Sequence, residues 1–355
     1  MLAIPRKKNQ REPNMTKIAC IGKNTKNQNN KCQPGTCSLY GQFPTKNQPI
    51  FTELMDLPVT FVHNIIASFG DSGRRYLIKL PDLIDEAAQR WDLTIGEPFL
   101  LSYNYVCAVT RGDGSPAVLK IGVPNPELTS EILALRLYSG NSACQILEFD
   151  NDQGMLLLER LQPGIMLSTL AKDDEATKIA AQVMQAIHRP TPEVYDFIKL
   201  RTWFEELKKI RPSFGGGTGP FPKKTVIIVE EMIEDLFVEN HSHVLLHGDF
   251  HHFNILLSDR GWLVIDPKGV DGPAEYEVGP FLLNPWGKMP QEMEAVRRTQ
   301  RRIAILSELL RFDRQTLLRW AICHSFLSAW WDTTPNGTGG EYSLAWTEIL
   351  IKMLT

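Results

Sequence analysis

The feature that most constrains this chain is the run from His247 to Gly269, HGDFHHFNILLSDRGWLVIDPKG. Asp249 and Asn254 are five positions apart, and Asp266 ends an apolar segment twelve residues after Asn254. NILLSDRGWLVID reads as two short strands around a polar turn, so a hairpin would carry Asn254 and Asp266 to the same end. Two chemistries use such side chains. In phosphoryl transfer one Asp takes the proton of the attacking hydroxyl, while an Asn and a second Asp hold Mg²⁺. In a zinc hydrolase, His247, Asp249 and His251 would alternate along a strand as ligands, but that choice leaves Asn254 and Asp266 without a task. On the first reading His247 is structural, and His251 and His252 are surface or cleft residues.

The remaining chain must supply a cation for the phosphates. Lys120 stands mid-strand between Leu119 and Ile121, and Glu131 falls inside the apolar stripe of a predicted helix marked by Leu128, Ile132 and Leu135. A charge buried alone is costly, so the two are expected to pair across one lobe. The glycine run FGGGTGPFP (214–222) is not a phosphate loop: Pro220 and Pro222 remove backbone donors, and a connector is expected.

The order of elements fits this chemistry. Leu80, Leu83, Ile84, Ala87, Ala88 and Trp91 form one helical stripe, with Pro81 expected in the first turn. Strand text at 99–110 and 116–123 flanks RGDG, a hairpin signal. The helix 125–138 follows, with Asn125 as its cap and Pro126 at its first position, and strand text returns at 144–149 and 155–161. Helices dominate from about 173 to 239, and the short strands of the opening motif lead into closing helices. The expected fold is α+β with two lobes. Residues 54–161 form a small β-rich lobe with one key helix, and 162–355 form a larger, mainly helical lobe.

Residues 1–53, rich in Asn, Lys and Gln, hold too few apolar side chains to offset the entropy of ordering and read as a disordered tail. Met55 stands where a translation start would make sense. The first fifty residues carry nine Lys/Arg against Glu12, so the remainder carries a net charge of −11. An acidic body disfavours a nucleic-acid partner and suits a cationic small substrate. No run of 18 apolar residues and no leader pattern occur, and the six cysteines suggest neither a disulfide framework nor a zinc ribbon. The expectation is a cytoplasmic protein that does not engage membranes.

HGDFHHFN with VIDPKG resembles the aminoglycoside phosphotransferase superfamily, which has the protein-kinase-like two-lobe fold. LSYNYV, AVLKIGVPNPEL, LLLERLQPG and AEYEVGPFLLNP are similar to its streptomycin 6-kinase and hydroxyurea phosphotransferase branch, over residues 55–335. The resemblance implies ATP and Mg²⁺ as cofactors. Asp249 becomes the catalytic base, Asn254 and Asp266 the metal ligands, Lys120 the phosphate contact and Glu131 its orienting partner. Glu159 to Leu161 becomes the segment whose backbone meets adenine. LSYNYVCA (101–108) lacks the glycines of a kinase phosphate loop, so the backbone around Ser102–Asn104 is expected to cover the phosphates instead. Glu275, Glu277, Trp331 and Asp332 are candidates to face the acceptor, since carboxylates beside aromatics suit guanidinium or amino groups. The implied activity is transfer of the γ-phosphoryl group to a hydroxyl of an aminoglycoside such as streptomycin, which would inactivate an antibiotic. Alternatives are hydroxyurea, a housekeeping sugar or other small metabolite as acceptor, and a non-catalytic nucleotide-binding relative. No long activation segment follows Asp266, which disfavours protein substrates.

Overall fold

The computed structural model describes residues 57–239, 243–285, 287 and 291–354. The tail expected at 1–53, with Cys20, Cys32 and Cys37, lies outside these residues. Among them Cys107, Cys144 and Cys323 are free thiols buried in the core.

The chain opens with helix α1 (Val59–Arg90), which begins some twenty residues before the expected 80–91. Pro81 lies inside it rather than in its first turn. The buried stripe runs back from Leu80 through Leu77, Tyr76, Ile65 and Phe61, and its burial offsets the one hydrogen bond a proline removes. At Gly70 (φ 56°, ψ −127°) the helix breaks, in a backbone region open only to glycine. The Tyr76 hydroxyl donates to the Ile121 carbonyl at 2.9 Å, tying α1 to the sheet.

That sheet is antiparallel and five-stranded, in the order β1-β2-β3-β5-β4. Its strands are β1 (Leu93–Pro98), β2 (Tyr105–Arg111), β3 (Pro116–Ile121), β4 (Ile146–Asp150) and β5 (Met155–Glu159), with helix α2 (Pro126–Tyr138) between β3 and β4. The strand expected at 99–110 is shorter: residues 99–104 are the link from β1, which was not foreseen, to β2. Gly114 (φ +83°) makes the turn of the β2–β3 hairpin. Asn125 caps α2, its side-chain oxygen accepting the Glu127 and Leu128 N–H groups at 2.8 and 3.2 Å. The register sets Lys120 opposite Val106 and Leu156, mid-sheet.

The second half begins with β6 (Pro163–Met166) and α3 (Asp173–Ile187). It continues through β7 (Ile198–Lys199), α4 (Leu200–Glu205), α5 (Ile210–Ser213) and α6 (Lys223–Glu239). Residues 214–222 form the expected connector between α5 and α6. Then come β8 (His243–Leu246), β9 (Ile255–Ser258), β10 (Gly261–Val264) and β11 (Val270–Pro273), followed by α7 (Val278–Leu283), α8 (Glu292–Leu310), α9 (Arg314–Asp332) and α10 (Glu341–Lys352). Two small sheets, β10-β9-β6 and β7-β11-β8, are packed among these helices. Helix α9 is buried nearly all round: Trp320, Phe326, Leu327 and Trp330 are core residues at 1% exposure or less. A β-sheet with one inserted helix, followed by a helical half, is the two-lobe kinase-like architecture.

Candidate active site

β3 is the central strand of the five, and alternation turns Lys120 to the face on which α2 lies. There the Lys120 ammonium meets both oxygens of Glu131 at 2.6 and 2.7 Å, so the expected buried pair is formed. The same ammonium reaches Asp266 Oδ1 at 2.5 Å, bridging 146 positions of sequence. Burial opposes the charge on Lys120, but the Asp266 and Glu131 carboxylates outweigh it and raise its pKa.

Asp266 follows β10. The β9–β10 hairpin pairs Ile255 with Val264, and the Ile265 N–H donates to the Asn254 carbonyl at 3.0 Å, so Asn254 and Asp266 emerge at one end as expected. Asp266 has φ +57°, a sparsely populated region for a non-glycine residue and a frequent mark of functional sites. Burial favours its neutral form, yet Lys120 and Lys268 hold the carboxyl far below the usual range. Lys268 Nζ lies 3.3 Å from Asp266 Oδ2. Burial disfavours the Lys268 charge in turn, but Asp266 and Asp249 raise its pKa well above that of an ordinary lysine.

The segment between β8 and β9 carries Asp249. His247 is fully buried, its Nδ1 accepting the Asp249 N–H at 3.2 Å and its Nε2 donating to the Ile265 carbonyl at 2.9 Å. Both ring nitrogens are thereby committed, which removes His247 as a zinc ligand and fixes the loop to the residue before Asp266. Asn254 Nδ2 donates to the Asp249 carbonyl at 3.0 Å, and His251 Nε2 stands 3.5 Å from Asp249 Oδ1. His252 corrects the expectation of a surface or cleft residue. It is 2% exposed and stacked on Phe281 (centroids 4.2 Å apart, planes at 11°), beside the buried Arg302.

Glu277 also stands elsewhere than expected. It is fully buried, and its carboxylate accepts the N–H groups of His247 at 2.6 Å and Gly248 at 2.9 Å. It clamps the Asp249 loop from below and presents nothing to an acceptor. Trp331 is half-buried and edge-on to Trp203, with centroids 5.4 Å apart. Trp203 in turn packs so near Gly248 that a Cβ there would come within 3.0 Å of it, which leaves Trp331 one ring removed from the Asp249 loop. Glu275 and Asp332 are half-buried, in the turn after β11 and at the end of α9.

On the opposite side, Ser102 and Asn104 lie in the bend between β1 and β2. A Cβ on Gly122 would fall 2.3 Å from Asn104 Oδ1, so glycine is required at the end of β3 for this bend to approach. Ser102 offers its carbonyl to Asn64 Nδ2 at 3.3 Å. The Glu159 side chain is taken up by Arg260 (2.5 and 3.2 Å) and the Gln145 N–H (2.9 Å), and Leu161 is buried. What these two can offer a base is backbone.

The donor set suits Mg²⁺. Asp266 is ionised, and the Asn254 carboxamide gives its N–H to Asp249, which orients the amide oxygen away from that carbonyl. Hard oxygen donors of this kind are what Mg²⁺ takes, with water and phosphate oxygens completing its shell. Among the described residues no group of three His, Cys, Asp or Glu converges as a closed metal cage. The zinc reading therefore finds no ligand set there. Lys268 is the site residue the sequence reading passed over. Its only signal was the Lys within IDPKG, two positions after Asp266.

A two-lobe kinase fold, with a lysine on the sheet paired to a glutamate on α2 and an Asp-Asn-Asp set around the β9–β10 hairpin, is that of a phosphotransferase. Comparison with known proteins agrees. Residues 90–335 match the family described as aminoglycoside/hydroxyurea antibiotic resistance kinase. The chain belongs to this family: it is an ATP-using kinase acting on a small-molecule hydroxyl. It is 27% identical over 288 residues to a streptomycin 6-kinase of Streptomyces glaucescens, covering 79% of this chain and 92% of that one. It is also 27% identical over 307 residues to a hydroxyurea phosphotransferase of Kitasatospora aureofaciens, covering 84% and 85%. Among solved structures, a choline kinase of Streptococcus pneumoniae superposes with a TM-score of 0.56 at 16% identity, covering 78% of this chain and 98% of the other. That likeness concerns the fold. No helix among the described residues is long and apolar enough to cross a membrane.

Proposed function

We propose that this kinase transfers the γ-phosphoryl group of MgATP to a hydroxyl of a cationic aminoglycoside of the streptomycin type. Asp249 takes the proton of the attacking hydroxyl, and Asn254 and Asp266 hold Mg²⁺. An ion bound there would supply positive charge to offset that of the phosphates. Lys120, oriented by Glu131, meets the phosphates from above. The backbone of the Ser102–Asn104 bend covers them, and the backbone of Glu159 to Leu161 meets adenine. Trp331, Glu275 and Asp332 line the side on which an acceptor approaches, and their carboxylates and indole suit a guanidinium. The enzyme works in the cytoplasm, where ATP is supplied.

One observation carries the reading: the Lys120 ammonium, from the sheet, lies 2.5 Å from Asp266, from the hairpin below. Asn254, which leaves the same end of that hairpin and donates to the Asp249 carbonyl, supports the same reading. The similarity to a hydroxyurea phosphotransferase over 84% of the chain supports a second reading, with hydroxyurea as acceptor. ADP release by the purified protein, screened with streptomycin, other aminoglycosides, hydroxyurea and common sugars, tests both. Streptomycin-dependent turnover is expected. Turnover with hydroxyurea alone establishes the second reading, and turnover with a sugar but no aminoglycoside overturns the first.

A further inference from the structure

Lys268 is fixed in place from three directions. Its backbone N–H donates to the His247 carbonyl at 2.6 Å. Its Cβ lies where a side chain on Gly248 would come within 3.2 Å, so its stem crosses the loop immediately before Asp249. The next residue, Gly269 (φ +61°), is pressed on α2: the Ser130 hydroxyl donates to its carbonyl at 2.5 Å, and any Cβ there would fall 2.5 Å from the Ser130 carbonyl. From this clamped backbone the ammonium extends to Asp266 Oδ2 at 3.3 Å, and the side chain keeps 22% of its surface exposed.

A counter-ion for Asp266 is already present, since Lys120 holds its other oxygen at the shorter distance of 2.5 Å. A second lysine, on a clamped loop, is thus held close to Asp266 and within the field of Asp249. We propose that Lys268 is a catalytic residue whose ammonium contacts the transferring γ-phosphoryl group and stabilises the charge on its equatorial oxygens. The inference rests on the ATP:hydroxyl phosphotransferase reading above. In the step, the acceptor oxygen forms a bond to the γ-phosphorus and its proton passes to the Asp249 carboxylate. The bond from that phosphorus to the β,γ-bridging oxygen breaks, and its electron pair leaves on ADP. Lys268 exchanges no atom; a fixed positive charge aimed at developing negative charge needs no reorganisation.

The experiment uses the full chain and needs no knowledge of the acceptor. ATP hydrolysis, in which water replaces the hydroxyl, is measured for wild type, Lys268→Met and Lys268→Arg, alongside the MgATP Kd by calorimetry and Tm. Lys268→Met is expected to lower kcat by about 10²–10³-fold with the MgATP Kd unchanged, and Lys268→Arg to recover at least part of the loss. Lys268→Gln, which keeps a polar head beside Asp266, decides by the same two readouts should the methionine variant not fold. Unchanged kcat overturns the proposal. So does a fall in kcat matched by an equal loss of MgATP affinity, which is the signature of a mere counter-ion to Asp266. A wild-type protein that neither binds nor hydrolyses ATP overturns the kinase reading itself, a result distinct from either.

Discussion

Glu277 holds Gly248 by its backbone: Oε1 accepts the Gly248 N–H at 2.9 Å while Oε2 accepts that of His247 at 2.6 Å. A fully buried carboxylate thus positions the residue immediately before Asp249 without touching Asp249 itself. Removing it leaves two buried donors unsatisfied, each costing about 1–3 kcal/mol. Glu277→Ala is therefore expected to lose about 3 kcal/mol in urea denaturation, and Glu277→Gln, which keeps one acceptor, to lose less. A loss below about 1 kcal/mol for the alanine variant would show that the loop does not depend on this clamp.

This role was not legible in the sequence, and the reason is physical. Asp249, Asn254 and Asp266 could be read because a short hairpin brings them together, and local text encodes hairpins. Glu277 works on backbone groups some thirty positions away, and backbone N–H groups carry no letter. AEYE read equally well as a carboxylate-rich face for a cation. Lys268 was visible as a letter, but only the fold shows that its stem crosses Gly248. The Lys120–Glu131 pair was legible because each charge interrupts an apolar pattern and the two lie eleven residues apart; the contact of Lys120 with Asp266, 146 positions away, was not.

That pair makes a second prediction. Lys120→Met leaves Glu131, 5% exposed at the side chain, as an uncompensated buried charge, at a cost of about 3–5 kcal/mol. Adding Glu131→Leu removes the orphan, so the double variant should be more stable than the two single losses predict. A coupling of about 1–3 kcal/mol in a denaturation cycle is expected. Additivity within about 0.5 kcal/mol would show that the two charges do not depend on one another.

Asp249 and Asp266 should fail in different ways. With an acceptor found by the screen, Asp249→Ala should lower kcat by about 10²–10⁴-fold, the span for a positioned base, while MgATP still binds. Asp266→Asn should abolish Mg²⁺-dependent turnover with the fold intact, because it removes the one anionic ligand of the pair and leaves two neutral amides to hold a divalent cation. Near-normal turnover by either variant, measured against Mg²⁺ concentration, would remove that residue from its assigned role.

The fold was legible where one pattern held for a whole element and not where patterns broke. The β2–β3 hairpin and the capped α2 followed from RGDG and from Asn125-Pro126. Helix α1 was cut short because Pro81 was read as a first-turn residue, yet the buried stripe from Phe61 to Ala87 crosses it. Strands β1, β6 and β11 escaped notice for a related reason: LTIGEP, PGIM and VDGP hold the glycines and prolines that mark turns. Partner strands outside the segment, rather than its own propensity, made them strands.

His252 carries the last prediction, which concerns acid. Burial, then the charges of Arg302, His251 and Arg298, push its pKa from 6.5 down to about 2. The ring stays neutral against Phe281 in the folded protein, while in the unfolded chain it titrates near 6.5. Above pH 6.5 neither state binds the proton and the packing contributes in full. As the pH falls below 6.5 only the unfolded chain gains a proton, so stability declines, by about 2 kcal/mol at pH 5 for this one residue. His252→Phe keeps the stack on Phe281 and removes the titration. Between pH 7.5 and pH 5, urea denaturation should therefore show wild type losing about 2 kcal/mol more than the variant. Parallel losses in the two proteins would mean that His252 takes up its proton in the folded state as readily as in the unfolded one.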